Sequence, residues 1–145
     1  LPLQAEVLDT QSGLDIPEGF DCSTANVVPA LFTDNAHSAP LGMLFADTLL
    51  AFPAEYQNSL YVAYHGSWNT SPESIRDCEV VRILLDGEMP VGREDFINGW
   101  RAAGQTCGSP ATWGRPADVI AGADGAMYIS DDKGNRVYRL VYTGE

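Results

Sequence analysis

Apolar residues along this chain come in short alternating bursts, broken by glycine and proline before any burst reaches helical length. Leu60-Tyr61-Val62-Ala63-Tyr64, Glu79 to Leu85, Ala126 to Ser130 and Arg136 to Tyr142 carry the β-branched, aromatic and alternating positions of strands. Leu41 to Phe45, Phe96 to Trp100 and Ala117 to Gly122 have the same character over weaker stretches. A 3.6-residue period is absent from every 11-residue window, and only Ser71 to Asp77 has room for a single helical turn. Asp86-Gly87, Asp124-Gly125 and Lys133-Gly134-Asn135 supply the positive-φ residues of tight reversals between these bursts. The pattern predicts an all-β protein made of antiparallel meanders.

The bursts repeat. Gly42 to Phe45, Leu60 to Ala63 and Val80 to Leu84 match, in order, Asp118 to Ala121, Met127 to Ser130 and Val137 to Val141, at a spacing that shrinks from each strand to the next. It shrinks because the first copy carries extra residues in two places, Ala46 to Asn58 before its second strand and Gly66 to Asp77 before its third. Three-stranded units in series, with a fourth strand available at Phe96 to Trp100, predict consecutive blades of a β-propeller. Two blades cannot close a ring, so the expectation is about two blades of a larger, partial propeller. Residues 1–28 would end an earlier blade and its connection, 29–110 would form the penultimate blade with long inserted loops, and 111–145 the last blade.

Composition narrows the partners. The 145 residues include 8 Lys+Arg against 20 Asp+Glu, a net charge of −12, and 45% hydrophobic residues. Enough apolar surface exists to offset chain entropy. Without a basic block, neither nucleic acid nor an anionic membrane is an expected partner. No run of 18 apolar residues suggests a membrane span, no signal peptide is evident, and the absence of an initiator Met suggests a mature product or a piece of a longer protein. Cys22, Cys78 and Cys107 lack metal-ligand spacing. A bridge between Cys78 and Cys107 and three free thiols stand as equal alternatives.

Candidate chemistry collects in loops. His37 precedes the first strand of copy one, His65-Gly66-Ser67-Trp68-Asn69 follows its second strand, and Arg115 precedes the first strand of copy two. In a propeller such corners converge on the channel mouth, where ligands bind. Each residue also has a plain structural reading: His37 as an exposed loop residue, His65 as a strand-ending histidine bonded to a carbonyl, Trp68 as packing beneath its own loop, and Arg115 as one half of a surface ion pair. Asn69-Thr70-Ser71 fits a glycosylation sequon. Asp124, Asp131 and Asp132 lack the spacing of a calcium loop and read as turn-forming carboxylates. GxSxG, HExxH, GxGxxG and GxxxxGK[ST] do not occur, which removes the hydrolase, zincin, dinucleotide and P-loop readings.

His37-Ser38-Ala39-Pro40-Leu41-Gly42, His65-Gly66-Ser67-Trp68-Asn69, Gly114-Arg115-Pro116-Ala117-Asp118-Val119 and Asp124 to Asp132 together resemble the C-terminal third of soluble pyrroloquinoline-quinone (PQQ) dependent sugar dehydrogenases, of the sorbosone and fungal pyranose dehydrogenase type. The resemblance implies a six-bladed propeller with PQQ across its mouth, oxidation of a sugar by hydride transfer to PQQ, an external acceptor such as a cytochrome, and action outside the cytoplasm. It places Arg115 at a PQQ carboxylate, His65 at a polar cofactor contact, His37 near the quinone edge or substrate entrance, and Trp68 and Asn69 in the pocket. The catalytic base and the calcium ligands belong to earlier blades of such enzymes, so this segment alone is expected to lack turnover. Thr70 stands where the family has an arginine, removing one cation. That departure keeps a non-catalytic propeller binding module open as an alternative, beside a calcium-dependent lactonase-like hydrolase.

Overall fold

All but one of the expected strands fall where the alternation places them in a computed structural model of the chain, which describes residues 30–67, 76–108 and 110–144. Within the compact unit Asp34–Glu145 the strands form two antiparallel sheets. The first sheet runs β1 (Pro40–Phe45), β2 (Ser59–Tyr64), β3 (Glu79–Asp86), β4 (Met89–Ile97), in that order. The second runs β5 (Pro116–Ala121), β6 (Met127–Asp131), β7 (Arg136–Leu140). Helix is confined to a 3-10 turn, Ala46–Thr48, and the four-residue α1, Ala54–Gln57, among the described residues. No helix among them is long and apolar enough to cross a membrane.

Strand pairing reproduces the repeat. Met43 faces Val62 as Val119 faces Ile129, and Val62 faces Val81 as Ile129 faces Tyr138. Tyr61 faces Arg82 as Tyr128 faces Arg139. Both first strands also shift register just after their opening proline, between Pro40 and Met43 and between Pro116 and Asp118.

One strand lies elsewhere than its sequence suggested. The fourth strand is Met89–Ile97, not Phe96 to Trp100. Gly87, with φ 60°, lets the chain reverse over two residues so that Met89 pairs with Asp86. The strand that follows is an edge strand holding Pro90, Gly92, Arg93, Glu94 and Asp95, and such an edge is polar by nature. Only its end, Phe96 and Ile97, is apolar enough to register as a strand. Trp100 lies beyond it and packs edge-on against Tyr138, ring centroids 5.7 Å apart.

One buried cluster draws on both sheets: Tyr61, Ala63 and Val80 from the first, and Val119, Met127 and Ile129 from the second. The first-copy insertion between β1 and β2 adds Leu49 and Phe52 to it, each contributing roughly 1.5–3 kcal/mol by leaving water. Cys78 and Cys107 are fully buried there and form a disulfide, Cα–Cα 5.4 Å, tying the start of β3 to the loop that follows β4. Of the two alternatives that spacing leaves open, the bridge is the one that forms; Cys22 lies outside the described residues. Where β1 and β5 meet, Gly42 leaves the space that Asp118 fills.

The first sheet also carries a partly buried charge network. Glu79, 5% exposed, opens β3 and pairs with Arg93 of β4. Arg93 also meets Asp34 at 2.8 Å and Asp95, and the Tyr64 hydroxyl donates to the same Asp34 at 3.0 Å. These residues, with Arg76, Asp77 and Arg101, line a polar cavity of about 180 Å³. Burial pushes the Glu79 carboxyl up to about 7; Arg93 opposes this, while Asp95 and Asp77 push the same way. A carboxyl whose pKa rises on folding holds its proton more tightly in the folded chain, so stability falls as pH climbs from about 5 through 7. Glu79→Gln should flatten that decline in melting temperature, an effect on the order of 2–3 kcal/mol. An unchanged pH slope in Glu79→Gln would assign the decline to another group.

Candidate functional site

The candidate site is assembled from equivalent corners of the two repeats. His65 follows β2 as Asp132 follows β6, and Arg115 precedes β5 as Ala39 precedes β1. The corners meet: His65 Nε2 lies 2.9 Å from Asp132 Oδ1. Arg115 Nε donates to the His65 carbonyl at 2.7 Å, and its Nη2 donates to the Gly66 carbonyl at 3.2 Å. Each of these bonds joins the end of a strand in one sheet to a residue flanking a strand of the other.

The local backbone explains the meeting. Gly66, at φ 81°, turns the chain sharply after β2 in a conformation that favours glycine. Its N–H donates to the Ser38 carbonyl at 2.9 Å, and the His65 N–H donates to the Ala39 carbonyl at 3.0 Å, which continues the β1–β2 ladder past the strands. The Cys107 sulfur sits 3.3 Å from the His65 carbonyl oxygen, so the disulfide backs this turn. On the other side Asp131, 2% exposed, accepts the Arg115 N–H at 2.8 Å and the Gly134 N–H at 2.7 Å on Oδ1, and the Tyr138 hydroxyl at 2.9 Å on Oδ2. One buried carboxylate thus fixes both the Arg115 backbone and the β6–β7 turn.

The hydrogen bond from His65 holds the Asp132 carboxyl below the usual carboxylate range, outweighing its partial desolvation; the His65 charge, the Lys133 N–H and Arg115 act in the same direction. The Arg115 guanidinium, half-buried, meets no carboxylate among the described residues, and its Nη1 makes no hydrogen bond to them. Arg82, Arg93, Arg101 and Arg139, by contrast, each pair with an acid.

Arg115 and His65 are therefore brought together, through a carbonyl rather than ring to guanidinium. His37 is exposed, in the left-handed region at φ 66°, and its ring makes no hydrogen bond or ion pair among the described residues. It stands one residue before the Ser38–Ala39 backbone that holds the His65 turn. Trp68 and Asn69 lie outside the described residues. Asp124 and Asp131 accept the N–H groups of turns, the Ala126 N–H at 3.2 Å and the Gly134 N–H at 2.7 Å, as their sequence setting suggested. Sequence reasoning missed Asp132 as the partner of His65 and Asp131 as the anchor of Arg115; the repeat, applied to His65, points directly at Asp132.

The TrAA12-like family profile matches residues 12–143. A protein of Borreliella burgdorferi, described as uncharacterized, is 34% identical over 117 residues, which cover 79% of this chain and 29% of that protein. Among solved structures, the holo form of the pyranose dehydrogenase PQQ domain from Coprinopsis cinerea superposes with a TM-score of 0.62 at 27% identity, covering 81% of this chain and 30% of that one. The chain spans about three-tenths of the length of both.

Proposed function

The chain belongs to the TrAA12-like family, and on that footing we propose that it forms two neighbouring blades of a six-bladed propeller, contributing one side of a PQQ site in a sugar dehydrogenase. The likeness to a PQQ domain in its holo form supports the cofactor, and the repeat in strand register supports the blades. Met43 and Phe45 on β1 are 60% and 59% exposed and Ile120 on β5 is 54% exposed, a good fit to strands that meet further blades in a longer protein. Calcium, its ligands and the catalytic base belong to those other blades, as do most sugar contacts. Reduced cofactor passes electrons to an external acceptor such as a cytochrome, and the protein works outside the cytoplasm.

The observation that carries this reading is the Arg115 guanidinium. PQQ is a flat tricarboxylate, and its quinone is the hydride acceptor when it is bound. Arg115 Nε and Nη2 are spent on the His65 and Gly66 carbonyls, which sets the guanidinium plane in advance and leaves Nη1 to donate to a carboxylate oxygen. His65 offers a second donor or acceptor at the same rim. The rim lies outside both the polar cavity around Glu79 and the apolar cleft of Phe52, Tyr56, Phe96 and Tyr142, in keeping with a site completed by other blades.

The test is gel filtration of the full-length protein with PQQ, read by quinone absorbance co-eluting with protein. Arg115→Ala should weaken retention by about 10- to 100-fold, the loss of a charge-assisted hydrogen bond. Wild-type affinity in Arg115→Ala, with the fold intact by circular dichroism, would remove the clamp from this residue.

A further inference from the structure

We infer that Asp132 is a positioning residue, which holds the His65 ring with its hydrogen on Nε2 and so leaves Nδ1 as the atom His65 offers to the cofactor rim; this rests on the cofactor reading above. The contact itself is specific, 2.9 Å between His65 Nε2 and Asp132 Oδ1. An ionised carboxylate accepts hydrogen bonds and donates none, so the hydrogen between the two atoms belongs to the ring. The carboxyl is held below its ordinary range and is ionised at neutral pH, which supports the assignment. Nδ1 has no hydrogen-bond partner among the described residues. It carries a lone pair in the neutral ring and an N–H in the protonated one, and in the protonated ring it would be free to donate to an oxygen of a bound cofactor.

His65 is thereby gripped twice from the second sheet: at its carbonyl by Arg115, which leads into β5, and at its ring by Asp132, which follows β6. The His65 side chain is 16% exposed, whereas that of Asp132 is 61% exposed. An exposed ion pair of this kind adds little stability. Its value lies in choosing the tautomer and the ring orientation, the part that outer partners of ligating histidines commonly play.

The experiment uses full-length protein with 15N-labelled histidine. Long-range 1H–15N correlation should show His65 as the Nε2–H tautomer in wild type and a mixture in Asp132→Ala. Asp132→Asn, which keeps an acceptor oxygen, should restore the tautomer. PQQ affinity should follow the same order, falling roughly tenfold in Asp132→Ala and returning to within about threefold of wild type in Asp132→Asn. An unchanged tautomer in Asp132→Ala, or PQQ affinity indifferent to Asp132 while Arg115→Ala weakens it, would overturn the inference. Wild-type protein that binds no PQQ would sink the cofactor reading alone, since the spectra decide the Asp132–His65 coupling by themselves.

Discussion

Gly66→Ala is expected to destabilise the protein by about 2–5 kcal/mol and to abolish cofactor retention. Two costs add. At φ 81° an L side chain is strained, by roughly 1–2 kcal/mol. The new methyl would also run into the sulfur and Cβ of Cys107, with the Asp77 carbonyl oxygen 3.1 Å away. Cys107 is fully buried and bound to Cys78, so it cannot swing aside, and overpacking of this kind costs about 1–3 kcal/mol more. Relief by moving the turn would break the Gly66 N–H bond to Ser38 and displace the carbonyls that hold Arg115. Gly104→Ala is the control: its φ is 74°, but nothing lies within 4 Å of its new methyl, so only the backbone cost applies. Urea denaturation of the two variants checks this, and equal midpoints would mean that Cys107 does not confine Gly66.

The second large effect is expected at Asp131. Asp131→Ala removes a buried acceptor and leaves the half-buried Arg115 N–H, Gly134 N–H and Tyr138 hydroxyl without it. Each fully buried orphan costs about 1–3 kcal/mol; because Arg115, Gly134 and Tyr138 are only half-buried, the low end applies and a total of about 3–5 kcal/mol is expected, the range for breaking a buried charged network. Asp131→Asn keeps one oxygen for the two N–H donors and turns the Tyr138 hydroxyl into an acceptor, so most of the loss should return. Denaturant midpoints measure both variants. Cofactor affinity should fall in Asp131→Ala as well, although Asp131 is buried behind Arg115, because Arg115 loses its backbone anchor. A cost below about 1 kcal/mol for Asp131→Ala would show that solvent or a shifted turn satisfies these donors.

The central strands are legible in the sequence because their side chains are buried. Tyr61, Val62 and Ala63, and likewise Met127 and Ile129, are apolar along the run that periodicity detects. β4 escapes for the opposite reason: an edge strand with Pro90, Arg93, Glu94 and Asp95 looks like a loop until its partner β3 is known. At the site, Arg115 and His65 stand out as a rare cation and a rare imidazole in an acidic chain. Asp132 is hidden among the many acids, and its importance arises only when two corners far apart in the chain touch. The Cys78–Cys107 bridge is legible only as one of two equal alternatives, because spacing names the pair and the packing of the loop after β4 decides that it closes.

Gly42 and Asp118 stand at the same point of the two copies and yet touch, and so do His65 and Asp132. A tandem array built by duplicating either copy alone would set aspartate upon aspartate at the first contact, or leave both without a side chain, and at the second would face imidazole with imidazole or carboxylate with carboxylate. Divergence between the copies is therefore a condition of their docking, and the smallest module that an engineer could multiply is the unlike pair.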